Sequence, residues 1–174
     1  MGEKLSKNRK IIIICICISI ISAILIVDLL SKHFFNNYEN ETTIIPYIIN
    51  FYSTKNTGAA WSVFAGSTLA LTIFTFFAIL LIVFYAIFSK SNSIFFYVSL
   101  SLILSGAIGN LIDRVFLGYV RDFIQFAFWK SFPIFNIADC ALTIGVICLC
   151  IYYLILVIKE NKKNDKKIWN KWRK

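Results

Sequence analysis

Four stretches without a charged residue, 11–27, 56–89, 91–112 and 140–158, run through a chain of 174 residues. Each is near or above the ~20 residues that a helix needs to cross the hydrocarbon core of a bilayer. The pattern predicts membrane-spanning helices near 11–30, 69–88, 94–112 and 139–158. Segments 31–68 and 113–138 then lie at one face of the membrane, and the short connection 89–93 at the other. Within 42–64 the pattern changes. Pro46 and Gly58 punctuate a run of β-branched and aromatic residues, Ile44, Ile45, Tyr47, Ile48, Ile49, Phe51 and Tyr52, which favours short strands packed on the membrane surface. Segment 115–135 carries Phe123, Phe126, Phe128, Trp129 and Phe132, aromatics of the kind that anchor a chain at headgroup depth. The expected fold is a mainly α integral membrane protein: four transmembrane helices with a small extracytoplasmic β-rich cradle, as a single domain over 1–158.

Composition excludes a water-soluble globule, because 59% of residues are hydrophobic, only 16% are charged, and the mean hydropathy is +0.75. The net charge of +9 sits at the two ends: Lys4, Lys7, Arg9 and Lys10 stand against Glu3, and eight basic residues in 159–174 stand against Glu160 and Asp165. Basic residues flanking spans favour the cytoplasm, so both termini are expected inside, which requires an even number of spans. The tail 159–174 is then a basic cytoplasmic segment suited to anionic headgroups rather than to nucleic acid. The first apolar run is longer than the core of a secretory signal and leads into no small-x-small cleavage site, so it reads as a retained helix. Cys15 follows a run of isoleucine rather than a small residue, which does not suit a lipid-attachment site. Cys15, Cys17, Cys148 and Cys150 fall within predicted spans as small packing residues, and no Cys/His cluster has metal-ligand spacing. Cys140 with the lone His33 makes no convincing nucleophile pair. No metal or cofactor is expected.

The chemistry lies in the aspartates. Before the tail there are four, Asp28, Asp113, Asp122 and Asp139, each at or beside the outer end of a predicted helix, with Asn56, Asn110, Arg114 and Asn136 drawn to the same side. An ionisable group near hydrocarbon costs about 2.5–3.5 kcal/mol on insertion scales, so such groups are paired, wet or functional. Asp28 and Lys32 are four apart and can pair on one helix face. Asp113 and Arg114 are adjacent and do not face each other, so each needs another partner, plausibly one from the opposite outer segment. Gly106 and Gly109 allow close helix approach before Asn110. Asn136 and Asp139 have the spacing of a helix cap. Asp122 is set among apolar and aromatic residues and needs a partner there. If Asp122 and Asp139 approach closely, repulsion raises one pKa and leaves one member protonated and the other ionised, the state acid–base hydrolysis requires.

Asn56-Thr-Gly-Ala-Ala-Trp-Ser62, Gly106-Ala-Ile-Gly-Asn-Leu-Ile-Asp-Arg114, Val120-Arg-Asp-Phe-Ile124 and Phe135-Asn-Ile-Ala-Asp139, in that order, make the chain resemble bacterial lipoprotein signal peptidase, also called signal peptidase II. The resemblance covers roughly 11–158. Asp28-Leu-Leu-Ser-Lys32 is similar to the family's first-helix block, with Leu29 and Ser31 in place of the commoner Gln and Thr, and Trp61 stands where Phe is commoner. The resemblance implies an aspartic endopeptidase of the bacterial cytoplasmic membrane that cuts the signal peptide before a diacylglyceryl-modified cysteine. Its catalytic dyad falls on Asp122 and Asp139. Asn56, Asn110, Arg114 and Asn136 fall on positions that bind substrate or support the dyad, and Asp28, Lys32, Gly58, Gly106 and Asp113 on structural supports. The implied partners are diacylglyceryl-modified prolipoproteins and membrane lipids, with the enzyme acting as a monomer. Two other readings remain open on residues alone. A proton relay would spread polar groups through the bilayer depth, whereas helix 2 has only Thr72 and Thr75, and helix 4 has no ionisable residue between Asp139 and Lys159. A scaffold would tolerate change at both aspartates.

Overall fold

The computed structural model describes residues 7–36, 38, 40–58 and 66–173. Lys4, Glu3, Trp61 and Ser62, used in the sequence reading, lie outside these residues. Among the described residues four helices are long and apolar enough to cross a membrane: α1 (Lys7–Phe35), α2 (Thr68–Phe88), α3 (Ile94–Leu117) and α4 (Ile137–Trp172). β1 (Thr42–Ile45) and β2 (Ile49–Asn56) precede α2, and β3 (Val120–Phe126) joins α3 to α4. The three strands form one antiparallel sheet in the order β1-β2-β3, at the end of the bundle where α1 and α3 finish and α2 and α4 begin. At the opposite end Arg9 Nη2 donates to the Asn92 carbonyl at 3.2 Å, which ties the start of α1 to the 89–93 connection.

In a lipid solvent the apolar side chains that face outward need no cover, and the interior is built from close approach and satisfied polar groups. The burial pattern follows that rule. α3 is the central helix, with Phe96, Leu100, Ile103, Leu104, Gly106 and Gly109 buried, while no residue of α2 is buried. A Cβ on Gly106 would meet the Ala138 carbonyl oxygen at less than contact distance and Leu142 Cβ at 2.8 Å. A Cβ on Gly145 would meet Ile103 at 2.8 Å. These glycines let α3 and α4 pack backbone to backbone. Buried hydroxyls on α3 return to their own helix: Ser99 donates to Phe95 O at 2.8 Å, Ser101 to Tyr97 O at 2.9 Å and Ser105 to Ser101 O at 2.8 Å.

Three helices end later than the sequence expectation. α1 continues to Phe35, and α3 runs to Leu117, where Gly118 takes the left-handed conformation (φ 79°) and its N–H bonds the Arg114 carbonyl. α4 does not stop at 158 but continues through the basic segment to Trp172. Its 36 residues span about 54 Å at 1.5 Å per residue, well beyond a ~30 Å core. No Gly or Pro interrupts 159–172, and lysine is a good helix former. The expected strands in 42–64 are present, but β3 extends the sheet into a segment expected only to anchor. Phe123 is 2% exposed rather than interfacial, stacked at 4.9 Å on Phe35 and edge-on at 5.6 Å to Phe51, whereas Phe128 and Trp129 are exposed.

Candidate active site

Asp122 and Asp139 are brought together by the sheet end of α3 and the pairing of the chain beyond it. Gly118 ends α3 and sends the chain directly into β3, whose Asp122 lies opposite Thr54 of β2. After the turn, Phe135 returns alongside β3, its carbonyl accepting from Phe123 N at 3.0 Å and Ile124 N at 2.8 Å, and its N–H donating to Ile124 O. This pairing places Asn136, the N-cap of α4, against Asp122. Asp139 follows one turn later and completes a capping box: Asn136 Oδ1 accepts from Asp139 N at 2.9 Å, and Asp139 Oδ2 accepts from Asn136 N at 3.1 Å. Capping and a place beside Asp122 are therefore both true of this pair.

Each carboxylate is met by amide hydrogens. Asp122 Oδ2 accepts from Asn56 Nδ2 at 2.9 Å and its Oδ1 from Asn136 Nδ2 at 2.6 Å. Asp139 Oδ1 accepts from Asn110 Nδ2 at 2.7 Å. An asparagine amide can face either way, and its orientation is known only from its partners. Here Gly58 N donates to Asn56 Oδ1 at 2.9 Å, and Asp139 N donates to Asn136 Oδ1. A backbone N–H cannot accept, so both amides must turn their NH2 groups to Asp122. Gly58 also accepts from Arg114 Nη2 at 3.1 Å, so Arg114 does find its partner in the opposite outer segment. Arg114 Nε is buried without a hydrogen bond among the described residues.

Asp122 is 2% exposed and Asp139 is half-buried. Burial pushes the Asp122 carboxyl up, repulsion from Asp139 adds to the rise, and the hydrogen bonds from Asn56 and Asn136 and the charge of Lys32 pull it back, leaving it at about 7. Near neutral pH the pair can therefore hold a single proton.

A second polar layer lies beneath. Asp28 and Lys32 are fully buried and pair at 2.8 Å, and Lys32 Nζ is 3.5 Å from Asp113. Asp28 Oδ1 accepts from Ala138 N at 2.9 Å, so it caps α4 from α1. Asp28 Oδ2 would lie 2.6 Å from a Cβ on Gly109, which explains that glycine by packing. Asp113 is held by Arg121, through the backbone N at 3.0 Å and Nη2 at 2.7 Å. Arg121 was not singled out in the sequence, and it lies in the same outer segment as Asp113 rather than the opposite one; the need of Asp113 for a partner was the signal. Among the described residues no group of three His, Cys, Asp or Glu is arranged to hold a metal.

This architecture is that of a polytopic membrane enzyme. Two solved structures, each described as a bacterial membrane enzyme structure obtained by the in meso method, superpose with TM-scores of 0.77 and 0.74 at 36% and 34% identity; they cover 81% and 88% of this chain and 88% and 97% of their own. Residues 20–155 match the sequence model of the Signal peptidase (SPase) II family, and the chain belongs to that family. It is accordingly a membrane protease. Similar relatives are the lipoprotein signal peptidases of Clostridium tetani, 43% identical over 75% of this chain and 82% of the relative, and Clostridium acetobutylicum, 36% identical over 86% and 98%.

Proposed function

We propose that this chain is an aspartic endopeptidase that removes signal peptides from diacylglyceryl-modified prolipoproteins, cutting before the lipidated cysteine with water activated by Asp122 and Asp139. The observation that carries the reading is the carboxylate pair itself: two acids from separate elements, each fed by asparagine N–H groups, with one pushed up to about 7 so that a single proton is shared at neutral pH. The ionised member takes a proton from water as it attacks the scissile carbonyl, and the protonated member donates to the carbonyl oxygen. The roles reverse when the tetrahedral intermediate collapses and the leaving amine is protonated. The proton belongs to the pair rather than to either residue. Arg114, with Nη2 on the Gly58 carbonyl, holds the chain beside Asn56 and supports substrate binding there. Asn56, Asn110 and Asn136 hold the acids, and Asp28, Lys32, Gly58, Gly106 and Asp113 support them.

The basic ends place both termini in the cytoplasm and the sheet at the outer face of the cytoplasmic membrane. A signal peptide crosses with its basic end inside, so its cleavage site arrives where the acids sit, while the diacylglyceryl chains stay in lipid. The domain is 1–158, acting as a monomer, and the basic extension 159–174 lies beside anionic headgroups. Incubating the purified protein with a diacylglyceryl-modified precursor and with its unlipidated form tests substrate class. We expect cleavage of the first and none of the second; equal cleavage of both removes lipid-dependent recognition.

A further inference from the structure

The Asn110 amide is the one member of the site whose orientation rests on a side chain rather than on a backbone N–H. Its Oδ1 accepts from Lys32 Nζ at 3.1 Å and from Asn136 Nδ2 at 3.0 Å, which leaves Nδ2 for Asp139. The two donors are not equivalent. Asn136 Nδ2 has two hydrogens and three acceptors within reach: Asp122 Oδ1 at 2.6 Å, Asn110 Oδ1 at 3.0 Å and the Arg121 carbonyl at 3.4 Å. Its closest bond goes to the charged acceptor, as expected for a charge-assisted hydrogen bond. The Lys32 ammonium can only donate, so whatever faces it must be an oxygen.

Lys32 neutralises Asp28, for which the uncharged Ala138 N–H is no substitute, while Asp113 already has Arg121. Charge balance does not account for the further contact that Lys32 makes with Asn110. A buried cation with no exposure is costly to keep unless all its hydrogens are used. Lys32 lies within ion-pair distance of Asp28 and Asp113, and its hydrogen bond goes to Asn110 Oδ1.

We propose that Lys32 is a positioning residue for the hydrolytic pair: it fixes which way the Asn110 amide faces and so supplies Asp139 with its side-chain hydrogen bond. A reversed Asn110 would set its NH2 against two donors and its carbonyl oxygen against a carboxylate, which repels the charge that activates water. This role rests on the dyad reading above. It places the control of Asp139 on α1, a helix that contributes no group to the reacting atoms.

The test is the double variant Asp28→Asn/Lys32→Met. It removes one charge of each sign, leaves the Asp113–Arg121 pair intact, and keeps an acceptor for Ala138 N. Thermal unfolding monitors the fold, and cleavage of a diacylglyceryl-modified precursor in detergent gives kcat, KM and their pH dependence. We expect kcat to fall about 10- to 100-fold, the range for a small misplacement remote from the chemistry, with KM unchanged. The alkaline limb of the pH profile should move little, because one cation and one anion are withdrawn together. A folded double variant with wild-type kcat overturns the proposal. So does a loss of rate matched by loss of folded protein. As a rescue, Asp28→Asn/Lys32→Gln, which has the same charge count and keeps an N–H for Asn110 Oδ1, should recover about 10-fold in kcat over the methionine variant; no recovery overturns the proposal, and if the methionine variant does not fold, a folded glutamine variant about 100-fold or more below wild type overturns it. Asp122→Asn and Asp139→Asn run alongside separate the two failures: if they cleave normally the dyad reading fails, and if they are inactive while Lys32 variants are normal only the role of Lys32 fails.

Discussion

Replacing Asp122 or Asp139 with asparagine is expected to slow cleavage of a lipidated precursor by roughly 10²–10⁴-fold, the contribution of a positioned acid–base group, with membrane insertion and melting behaviour retained. Asparagine keeps the shape of each side chain but offers one acceptor oxygen where the carboxylate offered two, so one of the two N–H groups that hold each acid loses its partner; that loss is set against the removal of a buried charge, and the fold is expected to hold. What it removes is the ionisable proton. At position 139 the acceptor for the Asn136 N–H of the capping box survives, so α4 still starts at Ile137. At position 122 the same change removes a carboxyl that is costly to ionise where it sits, so no loss of fold is expected. Substrate binding should be nearly unaffected, because neither acid is asked to hold the ground-state peptide. Steady-state kcat and KM for each variant check both statements.

Gly106→Ala is expected to be the most damaging single-methyl change in the bundle. The added Cβ would collide with the Ala138 carbonyl and lie 2.8 Å from Leu142 Cβ and 2.9 Å from Leu142 N, so the obstruction is largely backbone and cannot rotate away. α4 must move off α3. Overpacking of this kind costs about 1–3 kcal/mol. The displaced segment also carries Asn136, Ala138 and Asp139, while Asn110 stays on α3, so the Asn110–Asp139 bond lengthens. We expect lower melting temperature together with a kcat loss of about 100-fold, larger than the folded fraction alone explains. Thermal unfolding and active-enzyme kinetics on one preparation separate the two effects.

The four helices were legible in the sequence because lipid makes the length of a charge-free run the deciding quantity. The strands of 42–56 were legible from β-branched and aromatic runs around Pro46. β3 was not, since Phe123, Phe126 and Phe128 carry the composition of an interfacial anchor. Their pairing is fixed by β2, more than 60 residues away in the chain. The continuation of α4 past Ile158 was hidden by the change of solvent: the lysines that end the span also propagate a helix. For the site, the acids and asparagines could be named from their clustering and the motif blocks. The direction each amide faces, the capping of α4 by Asp28, and the partnership of Arg121 with Asp113 depend on contacts between separate elements.

The central claim is a carboxylate pair that works with one proton, and the pH dependence of single-turnover cleavage tests it most directly. The Asp122 carboxyl at about 7 predicts a bell-shaped rate: it falls in acid as the ionised member is protonated, and falls above about pH 7 as the remaining proton leaves. A rate that stays level from about pH 5 to about pH 9, with folded enzyme and bound substrate throughout, would contradict it.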